Sequence, residues 1–221
     1  ASDVPLKQLL HSVVAEQWWS YYQSQRWRVL NRTNMAEATD DPDTWDQATF
    51  MRKVIDGYAA SLEPAAELEN VPVGELGSLL EPAKPDTALR PTLFDVLAHR
   101  ALEVFLNRET RLTEPAWRFQ LNDARIFAPA PDFATADFAH RDSTAWEWQA
   151  LRLYQRLTHL HLHDATNDAL TDLTLERLAF AKDNSTLPDK DSLYLKALTA
   201  EGEGLPAGEA KSAVQLAIAQ W

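Results

Sequence analysis

The sequence predicts an all-α fold built from antiparallel helical hairpins, tetratricopeptide-like at the C-terminal end and joined by long proline-rich straps. Three observations support this prediction. Apolar residues recur at spacings of three and four along most of the 221 residues, glycine occurs only 6 times, and the 12 prolines fall mainly between the periodic stretches. Such spacing places side chains on one face of a helix, whereas the period-two alternation that is typical of strands is rare.

The first half of the chain contains three predicted helices. The first covers residues 6–30 and continues through a run of aromatic residues, and the second covers 45–62 after an acidic loop that can cap it. Residues 63–91 hold five prolines and predict a long irregular connection. The third helix covers 92–105 and begins directly after Pro91, whose missing N–H is not needed at a helix start.

The face that the spacing predicts for the first helix is apolar. Leu6, Leu9, Leu10 and Val13, followed by Gln17, repeat at intervals of three and four, which places them together along one side of the helix.

A second strap opens the other half of the chain. Residues 107–143 combine prolines with aromatic side chains, which is typical of a packed strap rather than a loose linker. A helix over 146–160 follows and can take its cap from Ser143 or Thr144. Residues 172–181 predict the next helix.

The C-terminal end carries the predicted hairpin of tetratricopeptide type. Two helices, about 189–201 and 207–221, flank a breaker at residues 202–206 that contains two glycines and a proline. Small residues on the last helix are typical of close-packed helical repeats. A solenoid needs at least three units, so one pair does not establish a repeat.

We expect a single helical domain over residues 1–221. A subdivision into 1–70 and 90–221, joined by the proline-rich connection at 63–91, is the alternative. The chain begins with Ala1 and ends at Trp221 inside an apolar helical pattern. We therefore interpret it as a fragment of a larger protein.

Composition excludes several classes of protein. Thirty-three acidic residues against 21 basic ones give a net charge of −12, which disfavours nucleic acid as a partner. The hydrophobic fraction of 45% is too high for a disordered acidic tail, and no run of about 18 apolar residues predicts a membrane span. Cysteine is absent, which excludes disulfides, thiolate metal sites and cysteine nucleophiles.

Three closely spaced histidines are the strongest metal signal in the sequence. His159, His161 and His163 could bind zinc if they shared a face, as they would on a strand. The flanking pattern predicts a helix, on which His161 points away from the other two and towards the core. We therefore predict two surface histidines and one at the edge of the core, with no metal site.

A carboxylate and an imidazole four residues apart are a second candidate. Asp95 and His99, with Glu103 one turn further on, could orient a general base. A surface ion pair is the more common outcome of this spacing, and no nucleophile motif accompanies the pair.

Five aromatic rings could form a platform that stacks sugars. The residues are Trp18, Trp19, Tyr21, Tyr22 and Trp27. Rings at these positions point several ways around a helix, so most of them must belong to the core. The chain also contains no G-x-G-x-x-G, P-loop, H-E-x-x-H or G-x-S-x-G motif. We predict no catalytic, cofactor-binding or metal-binding residues, and we expect the chain not to be an enzyme.

Three stretches of the chain resemble the N-terminal helical region of large bacterial alpha-2-macroglobulin family proteins of the Bacteroidetes type. They are residues 17–33 (QWWSYYQSQRWRVLNRT), 90–105 (RPTLFDVLAHRALEVF) and 187–198 (LPDKDSLYLKAL). Their order and spacing also match, so the resemblance covers nearly the whole chain.

The resemblance implies a multidomain protein of the cell envelope or periplasm that entraps proteinases through a cleavable bait region and, in some members, a Cys–Gln thioester. Since cysteine is absent here, none of the family's functional residues carries over to this chain. The implied role is noncatalytic support of the other domains, which are the expected partners, with proteinases or envelope proteins engaged through the full-length protein. The alternative is a stand-alone helical-repeat adaptor that binds partner proteins, which rests on the hairpin texture of the last helices.

Overall fold

The computed structural model describes residues 4–31, 41–76, 86–107, 119–139 and 145–221. These residues form nine α-helices and no strand, which confirms the all-α prediction; two isolated β-bridges are present. The helices are α1 (Val4–Leu30), α2 (Gln47–Ser61), α3 (Ala65–Leu68), α4 (Leu93–Phe105), α5 (Ala130–Thr135), α6 (Trp146–His161), α7 (Asp168–Asn184), α8 (Lys190–Gly204) and α9 (Glu209–Ala219).

The chain divides into two compact units. The first comprises Ala1–Glu75 and Thr92–Val104, so it is discontinuous in sequence and contains α1 to α3 with nearly all of α4. The second comprises Leu76–Pro91 and Phe105–Trp221 and contains α5 to α9.

An antiparallel pair of helices, α1 and α2, forms the centre of the first unit. At one end, Gln8 Nε2 donates a hydrogen bond to the backbone oxygen of Glu63. At the other end, the rings of Trp18 and Trp45 lie 4.9 Å apart. The order of these contacts along the two helices fixes their antiparallel direction.

Most of the predicted face of α1 is exposed in the structure, since Leu6, Leu10 and Val13 are exposed and Leu9 is half-buried. Leu6 and Leu10 are 52% and 55% exposed, whereas Gln8 and Ser12 lie in the buried face beside Ala15. Polar residues can occupy that face because neighbouring elements bond them. Gln8 bonds the end of α2, as described above, and the Ser12 hydroxyl accepts a hydrogen bond from Arg100 on α4.

Helix α2 begins at Gln47, two residues later than predicted, and its N-cap is Asp46 and not a residue of the acidic loop before Trp45. The Asp46 carboxylate accepts a hydrogen bond from the backbone N–H of Thr49 at 2.8 Å, which is the usual bond of a helix N-cap. Asp41, in the loop itself, instead accepts from Asp43 N and caps the 3₁₀ turn Pro42–Thr44.

Two glycines lie where helices approach closely. A Cβ atom on Gly57 of α2 would lie 2.9 Å from Cβ of Ala15 on α1. A Cβ atom on Gly202 of α8 would lie 3.2 Å from Val214 Cγ1 on α9. The predicted breaker at residues 202–206 is therefore wrong at its start, since α8 continues through Gly204 and Gly202 is used for helix packing.

Both predicted straps contain short helical pieces. The connection at 63–91 holds α3 and the 3₁₀ turn Val73–Glu75, and the second strap holds the 3₁₀ turn Ala124–Phe127 and α5. Residues 77–85, 108–118 and 140–143 of these straps lie outside the described residues, and so do both predicted caps, Ser143 and Thr144. Helix α6 has Ala145 at its N-cap, without a side-chain hydrogen bond.

In the second unit, consecutive helices pack against one another. Tyr154 of α6 contacts Phe180 of α7, with ring centroids 5.4 Å apart. Helix α9 folds back along α8, so that Trp221 returns to Tyr194 at 5.4 Å. The segment before α4 joins this group through Arg90, which donates to carboxylates of α7 at 2.6 and 2.7 Å. None of the described helices is both long and apolar enough to cross a membrane.

Candidate functional site

A cleft of about 330 Å³ in the second unit combines apolar walls with buried charge. It lies between the 3₁₀ turn Ala124–Phe127, α7 and α8. Its apolar residues include Phe127, Pro129, Leu178, Leu193, Ala197 and Ala200, and its polar residues are Thr174, Arg177, Lys196 and Glu201. Apolar walls with a few placed polar groups are typical of ligand sites, and this volume is at the small end of their range.

Helix α7 supplies the floor of the cleft. Thr174 and Arg177 are three residues apart and therefore lie on one face, one turn from each other. They are 2% and 1% exposed, so both side chains are taken out of water when the unit folds. Leu178 extends the same face as apolar wall.

Three contacts hold the guanidinium of Arg177 in place. Its Nη1 donates to the backbone oxygens of Ile126 at 2.7 Å and Ala128 at 2.9 Å. The guanidinium carbon lies 4.2 Å from the centroid of the Phe133 ring, within the range of a cation–π contact. The plane of the group is thereby fixed by the 3₁₀ turn and α5.

The remaining donors at the floor lack acceptors. Arg177 Nε and Thr174 Oγ1 are buried and have no hydrogen-bond partner in the described part of the chain. Thr158 of α6 shows what a buried helical threonine ordinarily does, since its hydroxyl donates to the Tyr154 carbonyl at 2.7 Å. Buried polar groups without partners are uncommon in folded proteins and call for an explanation.

Burial shifts the pKa values of Arg177 and Glu201 in opposite directions. It lowers the pKa of Arg177 to about 10, and the carboxylate of Glu201 partly opposes this shift. Burial also raises the pKa of Glu201, which the positive charge of Arg177 partly opposes. Arg177 still carries its proton at neutral pH, so the cleft presents a desolvated cation that is anchored and incompletely bonded.

The three candidate histidines are separated as the helical pattern predicts. His159 and His163 are exposed, whereas His161 is 3% exposed and its Nδ1 lies 2.7 Å from Asp164 Oδ2. His159 lines a second, more open cleft of about 370 Å³ with Arg152 and Arg156. No cluster of three or more metal-ligating side chains occurs among the residues that the structure describes.

The Asp95–His99 pair is not the surface ion pair that its spacing suggested. Asp95 is fully buried, and its carboxylate accepts hydrogen bonds from the backbone N–H and hydroxyl of Thr92 at 2.9 and 2.8 Å. This reciprocal arrangement caps α4. His99 Nδ1 donates to the backbone oxygen of Asp95 at 2.8 Å, so that ring nitrogen bonds the backbone and not the carboxylate.

The aromatic residues of α1 lie mostly in the core. Trp19 and Tyr22 are buried, Trp18 contacts Trp45, and Tyr21 lies 5.8 Å from Phe50. Trp27 is 79% exposed and stands apart from this group. The five rings therefore do not form a common stacking platform.

Sequence reasoning missed Arg177. The available signal was its position four residues after Leu173 and four before Ala181, both buried, which places an arginine on the apolar face of α7. A charged side chain is almost never fully buried unless something pairs with it.

Comparison of the chain with protein-family models, with curated proteins and with solved structures gives no match. The functional interpretation of the cleft therefore rests on its own geometry.

Proposed function

We propose that the chain is a noncatalytic helical module that binds a partner protein, and that the α7–α8 cleft receives a segment of that partner. The observation that carries the proposal is the fully buried, incompletely bonded guanidinium of Arg177 beside a small apolar cleft. Burying a charge without full compensation lowers stability. A group that is kept at such a cost is a candidate for binding.

The noncatalytic part of the proposal is supported by the positions of the candidate catalytic residues. Asp95 caps α4, His99 bonds a backbone oxygen, and His161 is enclosed beside Asp164. Each of these groups has a structural role of its own. The cleft itself offers charge, hydrogen-bond donors and apolar contact, which are means of recognition.

The test fills the cleft without disturbing the core. Ala200 is exposed and lines the cleft, so Ala200→Phe places a ring in the opening. Thr199→Phe is the matched control, because Thr199 is the exposed neighbour on α8 that does not line the cleft. Partners are captured from an extract of the source cells with the wild type and both variants, after circular dichroism confirms equal helix content.

We expect Ala200→Phe to release a partner that the wild type and Thr199→Phe retain. The proposal is rejected if all captured partners remain bound to Ala200→Phe as they do to the control.

We further propose that this module is the N-terminal helical region of a large alpha-2-macroglobulin-like protein of the cell envelope. The three stretches at 17–33, 90–105 and 187–198 support this proposal, together with the all-α fold. On this view the partners are other domains of the same polypeptide, and proteinase entrapment belongs to those domains. An immunoblot of fractionated cells tests it: a band several times larger than a 221-residue chain in the envelope fraction is expected, and a soluble band of the chain's own size would contradict it.

A further inference from the structure

We propose that the α7–α8 cleft recognises a carboxylate joined to an apolar group, and that Arg177 binds the two carboxylate oxygens. This inference rests on the proposed function, because it names the chemistry of the segment that the cleft receives.

The hydrogen bonds of Arg177 leave one edge of the guanidinium for a ligand. A guanidinium has five N–H donors, and Nη1 uses its two on the carbonyls of Ile126 and Ala128. Nε has no partner, and both hydrogen bonds that Arg177 makes in the described part of the chain start at Nη1. The Nε–Nη2 edge presents two parallel N–H groups, which is the geometry that a carboxylate accepts bidentately.

Thr174 provides a further donor on the same face of α7. Its hydroxyl is buried without a partner one turn before Arg177, and it lines the same cleft. A carboxylate at the guanidinium edge therefore has a hydroxyl within the reach of one helical turn. The walls beyond these donors are apolar, with Phe127, Leu193 and Ala197 placed to contact a hydrophobic side chain or tail.

The charge of the cleft also favours an anionic ligand. Arg177 and Lys196 contribute two positive charges and Glu201 contributes one negative charge, in a chain whose net charge is −12. The carboxylate of one ligand therefore brings the net charge of these side chains and the ligand to zero. Low polarity around the buried guanidinium strengthens this interaction relative to one at the surface.

Glu201 is the competing occupant of the guanidinium edge. It lines the cleft and lies close enough for Arg177 to influence its pKa. Nε of Arg177 has no hydrogen-bond partner in the described part of the chain, so Glu201 does not bond that atom in the structure. If the Glu201 side chain rotates onto Arg177, its carboxylate occupies the guanidinium edge and leaves no place for a ligand. Glu201→Gln would then shift the Arg177 Nε–H signal without any ligand, and the experiment below tests for this.

The experiment is a titration followed by nuclear magnetic resonance of the Arg177 Nε–H group in the full 221-residue chain. The probes are acetyl-leucyl-alanyl-leucine with a free carboxylate, the same peptide as its C-terminal amide, and octanoate. We expect the free acid to shift the Nε–H signal and to bind at least about tenfold more tightly than the amide. Tighter binding of the peptide acid than of octanoate identifies a peptide C-terminus as the source, and the reverse identifies a free carboxylic acid.

Matched threonine variants separate binding from folding. Thr174→Val removes the buried hydroxyl of a residue that lines the cleft, and Thr171→Val removes another buried, unpartnered hydroxyl of α7, from a residue that does not line it. We expect Thr174→Val to weaken binding of the acid by about tenfold and Thr171→Val to leave it unchanged. Arg177→Lys keeps the charge but loses the bidentate edge, so it abolishes the preference for the acid over the amide where the variant folds.

Three results would overturn the inference. They are equal binding of acid and amide, equal effects of the two threonine variants, and a large shift of the Nε–H signal by Glu201→Gln without any ligand. Equal binding of acid and amide that Ala200→Phe abolishes would reject the carboxylate and retain the proposed binding cleft. Absence of peptide and octanoate binding, together with partner capture that Ala200→Phe does not change, would reject both proposals.

Discussion

Gly57 lies where α1 and α2 approach closely, and replacing it with alanine tests the packing of the two helices. The added Cβ atom would lie 2.9 Å from Cβ and 3.4 Å from Cα of Ala15. Carbon atoms pack best at about 3.5–4.0 Å, so the two helices must separate by roughly 0.5–1 Å at this point. Ala15 is fully buried, and no flexible side chain is available to move instead.

The expected cost follows from two opposing effects. Overpacking a core typically costs about 1–3 kcal/mol, and a clash next to backbone lies at the upper end of this range. Alanine is favoured over glycine inside a helix by about 1 kcal/mol. We therefore expect Gly57→Ala to lower the free energy of unfolding by about 2 kcal/mol.

The assay is urea denaturation followed by circular dichroism, with hydrogen exchange to locate the change in α1 and α2. Adding Ala15→Gly to the variant removes the opposing methyl group, so the double variant should recover at least about 1 kcal/mol beyond the sum of the single effects. Gly204→Ala is the control, because nothing lies within 4 Å of the position of its Cβ atom and no loss is expected. A Gly57→Ala variant as stable as the wild type, with unchanged exchange in both helices, would refute the close approach of α1 and α2.

Three further predictions concern the second unit. Arg90→Ala should lower the free energy of unfolding by about 2 kcal/mol and speed hydrogen exchange in residues 86–91, because two charge-assisted hydrogen bonds to α7 are lost. Unchanged exchange in these residues would show that the two bonds do not hold the segment on α7. Thr171→Val should be neutral or stabilising by up to about 1 kcal/mol, because the Thr171 hydroxyl has no partner in the described part of the chain. Thr158→Val should cost about 1 kcal/mol, because the Thr158 hydroxyl bonds the Tyr154 carbonyl. Equal effects of the two substitutions in urea denaturation would contradict this difference. Burial raises the pKa of Glu201, so the wild type loses stability relative to Glu201→Gln as the pH rises from 4.5 through the raised pKa. Urea denaturation should show a larger free energy of unfolding for the variant at pH 7 and equal values for the two proteins at pH 4. Equal values at both pH values would contradict the raised pKa.

Most helices could be predicted from the sequence because their signals are local. The predicted spans 6–30 and 92–105 correspond closely to α1 and α4. Spacing of apolar residues, proline at a helix start and caps act within a few residues of each other. The exposed His159 and the buried His161 were assigned to the correct faces of α6 for the same reason, since a helix of known span fixes the direction of its side chains. His163 is exposed as predicted but lies beyond the end of α6.

The buried face of α1 could not be predicted from spacing alone. Leu6 and Leu10 outline an apolar face, yet Gln8 and Ser12 are buried. The choice between faces depends on hydrogen-bond partners just after α2 and in α4, which lie about 50 and 90 residues away in sequence. Local periodicity contains no information about such partners.

The role of Asp95 was misjudged for a related reason. Its spacing from His99 is equally compatible with a surface pair and with a buried cap. Thr92, three residues earlier, is the local signal that favours the cap, and the structure places both residues in that arrangement.

The sequence by itself determined the all-α class, the positions of the main helices and the separation of the three histidines, because each depends on neighbours within one or two helical turns. Only the tertiary structure decided the candidate site. Arg177 is one arginine on an apolar helix face in the sequence. In the folded protein the carbonyls of Ile126 and Ala128, about 50 residues earlier in sequence, accept hydrogen bonds from its guanidinium and hold it in place. Residues of α8 complete the cleft beside it. Burial and unmet hydrogen bonds depend on which distant segments meet, and packing alone decides that.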